Sequence, residues 1–338
     1  MLPLVIVVGT WNLLVTEGKE LIKEAFAEGT MKNLESQWNK FHSFCEYCKI
    51  DEYATITPEV LVAYIAWLCR SMKSQTSVAN YVNGIKTLHV LKNRGLGAFN
   101  DISVTLALRG VARRLRHTTK QAQPMTPPIL MKLLPLLDIT TPLGATYWAL
   151  FLLTFFMFMR KSNMVPTSKK SFDSQKQLVR GDFASRNGVL LVNGKWSKTN
   201  QFGSRSCGIP VLPLDSPLCP VRAFEKMVEL VPANENAPAF CHFAKGVCQP
   251  ITYGMFQRKL KSLIGAIGLP PTLYSSHSFR RGGATLAFKA GISGEVIKVL
   301  GDWRSDAYQT YLEIPLQVKT KAASKFRDVV LLETNQMF

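Results

Sequence analysis

Apolar positions recur at helical spacing through the first third of this chain. Leu34, Trp38, Phe41, Cys45 and Cys48 fall on one face at a 3.6-residue period. The segment "TPEVLVAYIAWLCRSM" opens with Thr57 in the N-cap position and Pro58 at the first helical one. Its Val60, Leu61, Tyr64, Ile65 and Leu68 make a single stripe. "SVANYVNGIKTLHVLKN" predicts a third helix, and "DISVTLALRGVARRLR", capped by Asp101, a fourth. Several short amphipathic helices in a row predict a compact all-α unit. The stretch "HTTKQAQPMTPP", residues 117–128, then drops the apolar period and carries prolines on both sides of Thr126, as a linker does.

After a helix capped at Thr126 comes "PLGATYWALFLLTFFMFMR", apolar on every side, which predicts a helix inside a second domain. The period then changes. "QLVRGDF", "GVLLVNG" and "SCGIPVL" are short β-branched or alternating runs between turns, predicting a three-stranded antiparallel element. Helices return after residue 216. The expected fold is mainly α with a small antiparallel β-sheet. It divides into an N-terminal segment of uncertain order (1–29), a helical domain (30–118), a linker (119–128) and an α+β domain (129–338). The opening "MLPLVIVVGTWNLLVT" lacks the basic flank and small-residue cleavage site of a secretion signal, and it is short for a membrane span.

A chain of 338 residues, 47% hydrophobic and 19% charged, is long enough for two globular cores. Charge changes the picture more. The 41 Lys and Arg against 23 Asp and Glu give a net +18, which points to a polyanionic partner, nucleic acid before a membrane surface. Between Arg70 and Lys120 the basic residues face a single acid, Asp101. Lys73, Lys86, Arg109, Arg113, Arg114, Arg116 and Lys120 are the candidate phosphate contacts in that stretch. The seven cysteines, odd in number and irregularly spaced, indicate free thiols in a reducing compartment. Cys45 and Cys48, near His42, lie far along the chain from Cys241, His242 and Cys248, so buried thiols are expected and no metal site.

The chemistry-bearing residues are scattered. In "HSFRRGGATLAFKAG" the preceding Ser275-Ser276 reads as a helix cap, placing His277 and Arg280 one turn apart near a helix N-terminus, a good anion site. Arg160 closes the buried helix and must reach solvent or meet an anion. "NGKWSKTNQFG" sets Lys198 in a turn, with Lys195 as a nearby alternative. "LGDWRSDAYQTYLEIP" supplies Trp303, Tyr308 and Tyr311. Each motif alone has an ordinary structural explanation.

In order, however, Arg160, Lys198, His277, Arg280, Trp303 and Tyr311 resemble the catalytic set of the tyrosine recombinase (phage integrase) family. The wording of "WSKTNQFG", "HSFRRGGAT" and "GDWRSDAYQTYL" is similar to the Crypton and DIRS-type recombinases of eukaryotic mobile elements. The resemblance covers roughly residues 30–325 and implies a helical core-binding (SAM-like) domain over 30–118 ahead of the catalytic domain. It implies cutting and rejoining of double-stranded DNA through a 3′-phosphotyrosyl intermediate, with no metal, ATP or other cofactor. Tyr311 would be the nucleophile, Arg160 and Arg280 the phosphate clamp, Lys198 the proton donor to the leaving oxygen. His277 would handle the tyrosine's proton or bond the phosphate, and Trp303 would offer an indole N–H and a packing surface. It further implies a tetramer on two duplexes, and a nuclear location if the source is eukaryotic, otherwise cytoplasm or nucleoid. One departure stands out: the family commonly spaces its His or Trp nine before the tyrosine, and 311 − 303 is eight. Tyr311 is still preferred to Tyr308, which departs further. A type IB topoisomerase and a DNA-binding protein without catalytic activity are the competing readings.

Overall fold

The structure is a computed structural model that describes residues 4–51, 55–116, 121–196, 207–303, 305–312 and 316–335. It divides into two compact units, Met1–Thr119 and Lys120–Phe338.

The first unit is helical. α1 (Leu4–Glu24) turns the apolar opening of the chain into a helix with Trp11, Leu13, Leu14 and Leu21 exposed. α2 (Glu28–Cys48), α3 (Pro58–Leu68), α4 (Gln75–Leu91) and α5 (Ile102–Leu115) enclose the core. The caps are local chemistry read directly from sequence. Thr57 accepts the Val60 N–H at 3.4 Å, and Asp101 accepts the Ser103 N–H at 2.8 Å. Phe41, Phe44 and Tyr64 pack together at the centre, Phe41 edge-on to Tyr64 at 5.1 Å. Cys45 is buried there and Cys48, expected on the same stripe, is exposed. On α5, Val104 and Val111 face inward. Arg109 and Arg113 are exposed and project roughly from the opposite side, given 100° per residue, and Arg116 is the exposed left-handed residue that ends the helix. Lys73 and Arg114 are also exposed, Lys86 is half-buried and donates to Asn100, and Lys120 lies outside the described residues.

His89 of α4 is buried edge-on to Phe99. Burial, with help from the cations of Arg94 and Lys92, holds its pKa below the ordinary 6.5. A histidine with a depressed folded-state pKa takes up its proton more readily when unfolded. The stability it supports is therefore full above pH 6.5 and is lost as pH falls. Thermal melting followed between pH 7.5 and 5 is expected to show an acid-sensitive loss for this unit, and His89→Leu is expected to remove most of that dependence.

The second unit holds α6 (Pro127–Leu133), α7 (Pro142–Phe156), α8 (Lys161–Met164), α9 (Pro220–Leu230), α10 (Tyr253–Ala266), α11 (Ser276–Lys289), α12 (Gly294–Leu300) and α13 (Leu316–Asn335). From Gly144 to Phe155 every residue of α7 is buried, and α9, α11 and the strand Cys241–Ala244 pack around it. The sheet is β1 (Phe183–Arg186), β2 (Val189–Gly194) and β3 (Cys207–Val211), antiparallel in that order. Leu190, Val192, Ile209 and Val211 form its buried face. The first strand starts later than its sequence suggests. Asp182 accepts the Val179 N–H at 2.8 Å and closes a tight turn over 180–182, leaving Val179 in an isolated bridge to Pro238. A second hairpin, β4 (Cys241–Ala244) and β5 (Val247–Pro250), appears where only helices were expected. Its two-residue turn places Lys245 and Gly246 at φ 52° and 76°, the geometry of a tight hairpin turn. Met125, in the stretch expected as linker, is fully buried in this unit and bonds the Ser278 carbonyl. No described helix is long and apolar enough to cross a membrane.

Candidate functional site

α11 sets the frame. Ser275 accepts the His277 N–H at 3.2 Å while Ser278 accepts the Ser275 N–H at 3.0 Å, a reciprocal cap that fixes where the helix begins. Phe279 is fully buried between Phe151 of α7 and Phe256 of α10, 5.2 and 5.6 Å away. The two glycines behind the arginines now have a reason. A side chain at Gly282 would run into the Met125 backbone, and one at Gly283 into the Phe155 carbonyl and the Phe158 ring. The lack of a Cβ at Gly283 lets the helix approach the end of α7, and at Gly282 it lets the helix approach the Met125 segment ahead of α6. Gly283→Ala is expected to lower stability by about 1–3 kcal/mol, as overpacking does, measurable by denaturant unfolding.

That close approach carries Arg280 inward, where it is 1% exposed. Its Nη2 donates to the Gly301 carbonyl at 2.8 Å, and Nη1 donates to the Phe158 carbonyl. Its guanidinium lies 3.6 Å from the centre of the Trp303 ring, a cation–π stack. Arg160 arrives from the other direction, and here the expectation needs correcting. α7 ends at Phe156, Phe158 takes a left-handed conformation (φ 51°), and Arg160 is the extended residue that begins α8. Its Nη2 donates to the Asp302 carbonyl at 3.4 Å, and its Nη1 lies 3.8 Å from the Asp302 carboxylate. One three-residue segment, Gly301 to Trp303, therefore engages both arginines.

His277 sits one turn before Arg280 with its side chain open to solvent. Desolvation by the surrounding protein, and then the cations of Lys161, Arg280 and Arg160, hold its pKa below the ordinary value. A neutral imidazole beside two guanidiniums can accept a proton. Trp303 is buried in a small cluster with Phe158, Ala284, Ile297 and Tyr308. Gly301 permits this, because a side chain there would occupy the place of the indole ring.

Tyr308 is 7% exposed, its ring 6.3 Å from Trp303 and its hydroxyl against Gly294. Tyr311 ends the 3-10 turn Asp306–Tyr311, and its side chain lies outside the described set. Lys198 also lies outside the described residues. Just before it, the Trp196 carbonyl accepts a hydrogen bond from Asn163 of α8. Lys195, the alternative to Lys198, is engaged 2.9 Å from the buried Asp182 carboxylate. Among the described residues no three His, Cys, Asp or Glu side chains converge as a metal site. Arg160, His277, Arg280 and Trp303 are thus brought to one place by α8, α11 and the loop after α12. Asp302 joins them and is not evident as a site residue from sequence motifs. The available signal is spacing: 311 − 302 is nine.

No protein-family profile matches the chain. A curated integrase/recombinase xerD homolog from Selenomonas ruminantium is 26% identical over 297 residues, covering 83% of this chain and 80% of that protein. Among solved structures, the lambda integrase dimer bound to a COC′ core site matches with a TM-score of 0.56 at 17% identity, over 89% of this chain and 94% of that one. The Tn1549 transposon integrase in complex with circular intermediate DNA matches at 0.58 and 12%, with the same coverage. XerH bound to its difH substrate matches at 0.52 and 16%, over 84% of this chain and 76% of that one. The likeness runs through both units, and it coincides with the ordered set of residues just described. The chain is thus similar over most of its length to an integrase/recombinase xerD homolog, and it shares the fold of the lambda integrase, the Tn1549 transposon integrase and the XerH recombinase.

Proposed function

We propose that the protein is a site-specific recombinase that cuts and rejoins double-stranded DNA through a covalent tyrosine intermediate. The observation that carries this reading is the pair of arginines, Arg160 and Arg280, held by adjacent carbonyls of one loop. Cleaving a phosphodiester places extra negative charge on the non-bridging oxygens, and two preset guanidiniums stabilise it where it develops. The Tyr311 oxygen attacks phosphorus, the bond to the 5′ oxygen breaks, and the 3′-phosphotyrosyl bond conserves the energy for rejoining. The tyrosine's proton passes to His277, and Lys198 protonates the leaving oxygen. Arginines and lysine supply the charge that metal ions supply elsewhere, so the reaction runs in EDTA.

The exposed Arg109, Arg113 and Arg116 of the first unit are read as phosphate contacts, together with Lys73, Lys86, Arg114 and Lys120. Neutralising Arg113, Arg114 and Arg116 is expected to flatten the salt dependence of duplex binding by about one unit for each phosphate that no longer meets a cation. An unchanged slope in titrations between 50 and 200 mM salt puts the DNA surface elsewhere. Assembly as a tetramer on two duplexes is carried over from relatives such as the lambda integrase tetramer solved on a Holliday junction. The finer placement among Crypton or DIRS-type elements, and with it a nuclear location, rests on the wording of three motifs alone; the curated relative is bacterial. The function is tested with a pool of nicked duplexes of randomised core sequence. Enrichment of one sequence in covalent adducts supports the reading, and adducts without enrichment favour a topoisomerase.

A further inference from the structure

The loop after α12 is built as a platform. The Asp302 N–H bonds the Val299 carbonyl at 3.0 Å and the Trp303 N–H bonds that of Lys298 at 2.9 Å, so the segment is tied back to the helix it leaves. Asp302 itself is left-handed, with φ 50°. Its carbonyl receives Arg160, its carboxylate lies beside the same guanidinium, and its neighbours receive Arg280 by hydrogen bond and by ring stacking.

We propose that Asp302 is a positioning residue for cleavage, one that holds Arg160 in the orientation in which it and Arg280 grip a single phosphate. The inference rests on reading the two arginines as the phosphate clamp. Arg280 is fixed by burial, since its guanidinium is enclosed by Phe158, Gly301 and Trp303. Arg160 is different. It leaves an extended segment between two helices, and its side chain is 19% exposed, so packing alone leaves its several torsions less defined. The Asp302 carboxylate, 28% exposed, supplies the missing restraint. At 3.8 Å it acts as a charge contact longer than a hydrogen bond, steering the guanidinium without consuming one of its five N–H donors. Apart from the Nη2 donor already given to the Asp302 carbonyl, the donors stay available to the incoming phosphate. A misplaced arginine would still attract DNA but would meet the developing charge in the wrong geometry, so the loss falls on the rate and not on affinity.

The choice of variants follows from the backbone. Alanine at a left-handed position adds strain of its own, whereas asparagine and glycine adopt it readily. Asp302→Asn removes the charge at nearly constant shape, and Asp302→Gly removes the side chain. Single-turnover cleavage of a nicked duplex is expected to slow about 10-fold in the first and up to about 100-fold in the second, with duplex affinity and melting temperature near those of the parent. In an Arg160→Ala background neither substitution should slow cleavage further, because the group it positions is gone. Equal losses in both backgrounds, a parallel loss of affinity, or an unchanged rate in both variants overturns the proposal. If Arg160→Ala alone cleaves at the parent rate, the clamp reading itself is wrong. A normal Arg160→Ala defect with additive Asp302 effects removes only the positioning role.

Discussion

Tyr311→Phe is expected to abolish the covalent protein–DNA adduct while leaving folding and duplex binding intact. The substitution removes one oxygen and almost no volume, so it deletes the nucleophile with little else. Tyr308→Phe is expected to keep the adduct, because Tyr308 is a buried member of the Trp303 cluster whose hydroxyl faces Gly294. Its cost should fall on stability instead, at roughly 1 kcal/mol if the hydroxyl is bonded. In the sequence, the choice between them rests on spacing and on the "Tyr-Leu-Glu" context of Tyr311. The burial of Tyr308 adds a physical reason that spacing does not contain. Gel separation of adduct under denaturing conditions, beside binding measured at equilibrium, distinguishes the two tyrosines.

The second large effect belongs to Arg280. Replacing it by alanine removes a fully buried guanidinium and strands the carbonyls of Phe158 and Gly301, so that variant confounds chemistry with stability by about 1–3 kcal/mol or more. Arg280→Lys is the sharper test. Lysine keeps the positive charge but loses the planar fork that reaches two carbonyls and stacks on Trp303 while presenting donors to phosphate. Cleavage is expected to slow by roughly 10²–10³-fold, as for loss of a preformed oxyanion donor, with duplex affinity changed only slightly. The measurement is a single-turnover cleavage time course beside a binding isotherm. Rate and affinity falling together would make Arg280 an ordinary structural or phosphate contact.

Much of the helical framework was legible because its signals are local. Thr57, Asp101, Thr126 and Ser275 all cap helices where the sequence places them, and each does so through its own side-chain oxygen. The end of α7 was not legible. Its apolar run continues to Met159, but the helix stops at Phe156, and Phe158 turns left-handed to present its carbonyl to Arg280. That turn is set by a partner 122 positions away. The β4–β5 hairpin was missed because four-residue strands carry too little alternation to stand out. For the site, Arg160, His277, Arg280 and Trp303 lie on segments that the fold brings together at α8, α11 and the loop after α12. What the motifs could not convey is that Gly282 brings α11 against the Met125 segment and Gly283 brings it against the end of α7, or that the Asp302 carbonyl and carboxylate meet Arg160. Both depend on distances between segments remote in sequence.

The most direct test of the whole account is to trap the reaction on a nicked duplex in EDTA, digest the denatured adduct, and identify the modified peptide by mass spectrometry. The account predicts a nucleotide on Tyr311, linked through a 3′ phosphate, formed with no divalent metal present. A nucleotide on Tyr308 would move the nucleophile. Cleavage that needs metal and leaves no protein–DNA bond would contradict the tyrosine mechanism for this chain.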